Sequence, residues 1–380
     1  MTVSVPVDSG ASVTVTGPVV AGHLENPEIT EASGLAPSRR ADGILWVHND
    51  SGNEPAIYAI SPTGKHLGAV WPAGADNIDW EDIESFVLGG RAYILIADLG
   101  DNNAKRKNCS FYVIEEPDPA LLSPEKDLIV PIAWQVPVAY RDGPHDCEAV
   151  AVDPGSASDG SEGKVYILLK REYPPRLFTV PLRPAPLPRA TGAAVSVGSV
   201  GGASGAPGAP GTRSTPGTRN TLNAPGAPDM RSTPGTPNTP NTRSAPNTLS
   251  APNAPSAPST PNAPDIPAQT AWQIGKLAEI PQPGSVRNLL PIPTGQYRGD
   301  PTGMSFSPDG RFAVVLTYGD VLLYPRREGE SWLSALLRKP LILPPHKLGQ
   351  AEAVCFSRDG KSIFVTEEAP RAPLLRYDLK

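Results

Sequence analysis

Cysteine is scarce. The 380 residues hold three thiols, Cys109, Cys147 and Cys355, too few and too odd in number for a disulfide framework. Cys147 and Cys355 lie in apolar runs and read as core filler rather than nucleophiles. No hydrophobic run approaches the length of a membrane span. There is no basic excess: the net charge is −6, which disfavours nucleic acid and anionic membranes as partners. The opening MTVSVPVDSGASVTVTGPVV has neither the basic start nor the long apolar core of a secretory signal, so a cytoplasmic location is expected. Catalytic signatures are missing as well, with no G-x-S-x-G, no P-loop and no G-x-G-x-x-G after a strand.

Proline and glycine are abundant, at 47 and 36 residues. Many of them sit in 191–268, a degenerate repeat of Pro with Ala, Thr, Asn, Ser and Gly. A segment with almost no large apolar side chain cannot bury enough surface to offset its ordering entropy, so a disordered insert is expected there. It carries a net +2 of the chain's −6, so the remainder carries −8. Residues 1–190 and 269–380 then form the two parts of one folded domain, expected to be a monomer.

That domain repeats itself. An acidic or polar residue precedes an alternating apolar strand in EASGLAPS, WEDIESFV, DCEAVAVD, DPTGMSFS and AEAVCFSR, with key positions 31, 81, 148, 302 and 352. A second and a third apolar run follow each time, joined by hairpin turns such as Pro308-Asp309-Gly310 and Arg358-Asp359-Gly360. Period-2 alternation without an amphipathic helix makes the chain all-β, and repeated four-stranded units make it a β-propeller. Five blades are expected, six being the alternative, with ASVTVTGPVV as the fourth strand of the last blade and TAWQIGKLAEI as the outer strand of the third.

The propeller scheme gathers the carboxylates. Glu31, Glu81, Asp82, Asp146, Glu148 and Glu352 fall at the starts of channel-lining strands, while Asp50, Asp98 and Asp101 fall in loops on the same face. Like charges at close range are costly unless a cation or protons neutralise them. Oxygen ligands with few His and no clustered Cys favour a hard cation, and calcium fits the irregular set best. The competing reading has these acids bonding N–H groups of neighbouring blades. Lys170-Arg171 is the cationic element at this mouth, able to pair with the ring or to clamp a substrate anion. The DLGDNN stretch is not an EF-hand, because its twelfth position is Cys109.

The HNDSG, DWEDI and GDN patterns, with DCEAVAVD and the SPDG turn, resemble an uncharacterised bacterial β-propeller family. More distantly the chain looks like phytase-type esterase-like and TolB-like propellers. That distant likeness implies a calcium-dependent esterase or phosphoesterase with Asp146, Glu148 and Arg171 as candidate catalytic groups. The closer family brings no settled activity and bears on the fold; the leading expectation is a binding or scaffolding propeller with a small ligand or protein at the channel mouth. Thr302 stands in the fourth unit where the others have Glu, so it replaces a carboxylate in the ring.

Overall fold

The computed structural model describes residues 2–6, 12–155, 160–184, 268–277 and 298–380. Most of the low-complexity stretch lies outside the described residues, and the alternative of a sixth unit beside it falls outside them as well. Among the described residues the chain is a β-propeller of antiparallel four-stranded units. The first unit is β3 (Ala32–Pro37), β4 (Leu45–Asn49), β5 (Ile57–Ile60) and β6 (His66–Ala73). The second is β7 (Trp80–Leu88), β8 (Arg91–Asp98), β9 (Cys109–Glu115) and β10 (Leu128–Tyr140). The third is β11 (Cys147–Asp153), β12 (Lys164–Leu169), β13 (Arg176–Pro181) and β14 (Gln269–Lys276). The low-complexity stretch therefore falls between the third and fourth strands of a unit, at its rim.

The fourth unit is β15 (Pro301–Phe306), β16 (Phe312–Thr317), β17 (Val321–Pro325) and the short β18 (Leu341–Ile342), with helix α1 (Trp332–Leu336) before it. The fifth is β19 (Ala351–Phe356), β20 (Ser362–Glu367) and β21 (Pro373–Leu379), to which the N-terminal β2 (Ser12–His23) adds antiparallel. Strand β1 (Thr2–Pro6) then pairs with β2. β10 is long enough to serve three neighbours: it runs parallel to β6 at one end and parallel to β14 at the other.

Five apolar clusters fill the spaces between successive units. Trp46, Trp80 and Ile83 lie between the first and second units, Phe111, Val150 and Phe178 between the second and third. Met304 and Tyr324 join Leu168 at the next gap, Phe356 and Tyr377 join Leu323 at the fourth, and Leu35 meets Phe364 at the fifth. The alternation that made the strands recognisable thus serves sheet-on-sheet packing. Trp46 and Trp80 are core residues, fully buried, and all three cysteines are buried free thiols.

The hairpins are built locally. At Ser307 the hydroxyl accepts the N–H of Arg311 and of Phe312 and donates to Asp309 Oδ1, while Gly310 takes φ +67°. Ser357, Asp359 and Gly360 repeat the arrangement in the fifth unit, with φ +70° at the glycine. A residue with a Cβ is strained at such φ values.

Candidate metal centre at the channel mouth

The first strand of every unit slips register at the same place. The slips lie between Ala32 and Gly34, Trp80 and Asp82, Cys147 and Ala149, Pro301 and Gly303, and Ala351 and Ala353. A bulge leaves one residue out of the ladder and re-aims its side chain. The residues left out are Ser33, Glu81, Glu148, Thr302 and Glu352. All five are buried, and together they set three carboxylates and two hydroxyls at equivalent positions. The repeat therefore aligns on Ser33, not Glu31: in the first unit the matching residue is a hydroxyl two positions later. Ser33 Oγ donates to the Glu81 carbonyl and Thr302 Oγ1 to the Ala351 carbonyl, so the hydroxyl positions tie one unit to the next.

The next position is small in four units, Gly34, Ala149, Gly303 and Ala353, and Asp82 in the second. Asp82 occupies the room they leave. Its Oδ1 accepts the Ile83 N–H at 2.8 Å, and its Oδ2 accepts the N–H of Val150 at 2.8 Å and of Met304 at 3.3 Å. One carboxylate thereby links the second, third and fourth units. Burial pushes its pKa well up, against the pull of those N–H groups.

The acid-dense segment 79–85 is thus a descent through different environments. Asp79 is half-buried at the mouth, Glu81 stands in the bulge ring, Asp82 spans the channel, and Glu84 lies deeper, with Trp80 and Ile83 turned into the core between. Of the four carboxylates only Asp79 and Glu81 come together; Asp82 and Glu84 sit in environments of their own.

At the ring, Lys170 enters from the loop after β12. Its Nζ donates to Glu148 Oε1 and lies 5.2 Å from the Tyr318 ring centroid. Burial alone would lower this ammonium's pKa; Glu148, Glu352 and Glu81 hold it above the ordinary value instead. Glu148 is pushed up to about 8 by burial, against the attraction of Lys170, and Glu352 and Glu81 are raised well above the usual carboxylate range by burial and by Glu148. The Tyr318 hydroxyl bonds Glu352.

The upper tier is pinned by two arginines. Arg171, with φ +62°, turns back so that Nε donates to Asp146 Oδ2 at 2.6 Å, and its Nη2 donates to Asn102 Oδ1. Arg106 Nη2 donates to Asp98 Oδ1 at 2.7 Å, and its backbone N–H donates to Asp101 Oδ2 at 2.6 Å. Asp98 Oδ1 also accepts the Asp79 N–H, and Asp146 Oδ1 accepts the Asp101 N–H. Glu31 Oε2 accepts from Asn53 Nδ2 at 2.5 Å.

Among the described residues, two groups of carboxylate oxygens come within 4.8 Å of one another: Asp50, Asp79 and Glu81; and Glu81, Asp146 and Glu148. The second group already holds Lys170 on Glu148 and Arg171 on Asp146. The first lies next to Gly100, where a Cβ would stand 2.0 Å from Glu81 Oε1 and 2.6 Å from Asp79 Oδ2. The close approach requires glycine there. Burial, and then the charge of Asp50, raise Asp79 to about 6; burial raises Asp50 too.

Of the sequence candidates, Asp50, Glu81, Asp146 and Glu148 fall in these groups. Asp98 and Asp101 stand beside them on Arg106, Glu352 stands with Tyr318 and Lys170, Glu31 lies on the rim with Asn53, and Asp82 is turned away into the channel. Asp79 completes the first group and was missing from the candidate ligands, although it directly precedes the recognisable Trp80-Glu81. The histidines do not join. His48 Nδ1 lies 2.9 Å from the Asn49 carbonyl, with burial lowering its pKa to about 4, and His145 pairs with Asp142 and Arg176 rather than Asp146.

No family model matches the chain, and no curated protein matches it. Solved structures do. A gluconolactonase from Xanthomonas campestris overlaps at a TM-score of 0.39 with 9% identity, over 100% of this chain and 98% of that one. A putative 6-phosphogluconolactonase from Bacteroides uniformis overlaps at 0.31 with 13% identity, over 98% and 71%. A β-propeller domain from Myceliophteria thermophila overlaps at 0.31 with 9% identity, over 92% and 65%. None of the three transfers a residue role to this chain.

Proposed function

We propose that this is a binding propeller whose channel mouth holds a calcium ion on Asp50, Asp79 and Glu81, and that a small ligand or protein partner completes the coordination. The observation that carries the reading is the convergence of those three carboxylates within 4.8 Å; of the two such groups among the described residues, it is the one with no lysine or arginine bonded to it. The donors are all oxygen and both histidines near the mouth are engaged elsewhere, a set that suits calcium and not zinc. Lys170 has a separate role. It neutralises the lower ring, so a cation above it meets the remaining negative charge.

The test is thermal unfolding of the full chain in EDTA and across a calcium series. A cation that binds only the native state at 100 times its Kd adds about 2.7 kcal/mol. A rise in Tm that disappears in Asp79→Asn and Glu81→Gln supports the site. No rise with calcium, magnesium or manganese defeats it and leaves the acids as internal acceptors.

A second reading, a calcium-dependent ester or phosphoester hydrolase, draws on one observation. Asp79 is half-exposed at the mouth and titrates near 6, the range that suits a general base. Asp146 and Glu148 would then support the metal and Arg171 would clamp the substrate anion. Calcium-dependent turnover of generic esters or phosphoesters, lost in Asp79→Asn and Glu148→Gln, is its signature; turnover indifferent to both changes excludes it.

A further inference from the structure

A cavity of about 630 Å³ lies at the opposite end of the channel, where β7, β11 and β15 finish. We propose that it binds a small oxyanion, a carboxylate or phosphate group, with Arg39 as the anchor and Arg326 and Arg358 beside it.

Arg39 is held from behind. Its Nε donates to the Ser85 carbonyl and hydroxyl, each at 3.0 Å, and its backbone N–H donates to Glu116 Oε2 at 2.9 Å. This fixes the plane of the guanidinium. Among the described residues no acceptor meets its two terminal nitrogens. Burial lowers its pKa, as expected for a cation short of solvent and of a counterion, and the neighbouring Arg358 lowers it further. Glu84 is the first carboxylate that opposes this shift, yet burial raises Glu84 itself to about 8, so at neutral pH it is largely uncharged.

The other acids at or beside the cavity have partners of their own. Glu116 accepts from Arg39 and from the Trp46 indole, Asp42 pairs with Arg358, Asp359 accepts from Ser357 and the Lys361 N–H, and Asp153 on the lining accepts the Gly155 N–H. Arg326 lies 4.3 Å over Trp332, with Nε donating to the Gly310 carbonyl and Nη1 to the Glu330 carbonyl. Arg326 lines the same cavity, and among the described residues no acceptor meets its Nη2. A guanidinium fork with both terminal nitrogens open matches a carboxylate or phosphate edge, which takes two parallel N–H bonds. The volume suits a small molecule.

The experiment is calorimetric titration of the full chain with inorganic phosphate and, separately, with citrate. The protein is stripped of metal with EDTA and the chelator is then removed, so calcium at the mouth plays no part and no other carboxylate competes. Saturable binding of either anion is expected, weakened about tenfold or more in Arg39→Lys, which keeps the charge and loses the fork. Arg326→Gln is expected to weaken it too, and serves if the Arg39 variant does not fold. Asp79→Asn leaves it unchanged, which separates this site from the metal centre. Binding of phosphate alone assigns a phosphate ligand, and binding of citrate alone a carboxylate. No saturable heat with either anion, or affinities unchanged in both arginine variants, overturns the proposal.

Discussion

Asp82→Ala removes the acceptor of three backbone N–H groups contributed by three units. A buried donor left without a partner costs about 1–3 kcal/mol. Val150 carries the full penalty, because its bond is short and reaches between units. Ile83 bonds a neighbour in sequence and can relax, and the Met304 bond is long at 3.3 Å. Removing a carboxylate whose own pKa is raised by burial returns part of the loss, since that charge was held at a cost. The expected net destabilisation is about 2–4 kcal/mol, or several degrees in Tm for a domain of this size. Asp82→Asn keeps the Ile83 bond but directs amide hydrogens at the Val150 and Met304 donors, so it should recover little. Urea unfolding with linear extrapolation reads the difference as a shift in midpoint at constant slope. A loss below about 1 kcal/mol for Asp82→Ala would refute the idea that this side chain ties the units together.

Lys170→Met should destabilise by about 3–5 kcal/mol above pH 8, where it leaves a charged Glu148 buried without its cation, and the loss should shrink toward pH 6, where Glu148 holds a proton; denaturation at two pH values checks it. In EDTA, stability should fall as pH rises from 5 to 8. The folded protein holds protons on Asp79 to about 6 and on Glu148 and Glu84 to about 8, while the unfolded chain releases them near 4. His48 and His346, both lowered to about 4 by burial, oppose this below 6.5 but are outnumbered by the raised acids. Calcium should reduce the slope, since it binds the deprotonated carboxylates of Asp50, Asp79 and Glu81 and leaves the contributions of Glu148 and Glu84; a flat metal-free profile would count against the pKa shifts. Gly100→Ala should abolish the calcium-dependent rise in Tm, because its Cβ would occupy the space beside Glu81 and Asp79; an unchanged calcium response would place the ion elsewhere.

What could be read along the chain was whatever depends on near neighbours. Alternating apolar residues, the Ser-x-Asp-Gly turns and the repeated spacing specify strands and hairpins, because side-chain period and turn geometry are set within a few residues. The N-terminal strand of the fifth unit and the outer strand of the third were legible for the same reason. The clustering of acids at one face followed from the topology of the repeat. Tertiary structure alone decided which acids do what. Bulge position is a property of two paired strands, so Ser33, rather than Glu31, as the partner of Glu81 and Glu148 emerges only from the register. Asp82 looks like its neighbours in sequence, but its acceptor role depends on Val150 and Met304, distant along the chain. The charge state of the ring depends on Lys170, which follows the strand paired with that of Glu148 and reaches it only through that pairing, and the isolation of Arg39 on burial by other units. Desolvation and charge pairing act through space, so a stretch such as DWEDIES names the chemistry available, and the fold assigns each carboxylate its work.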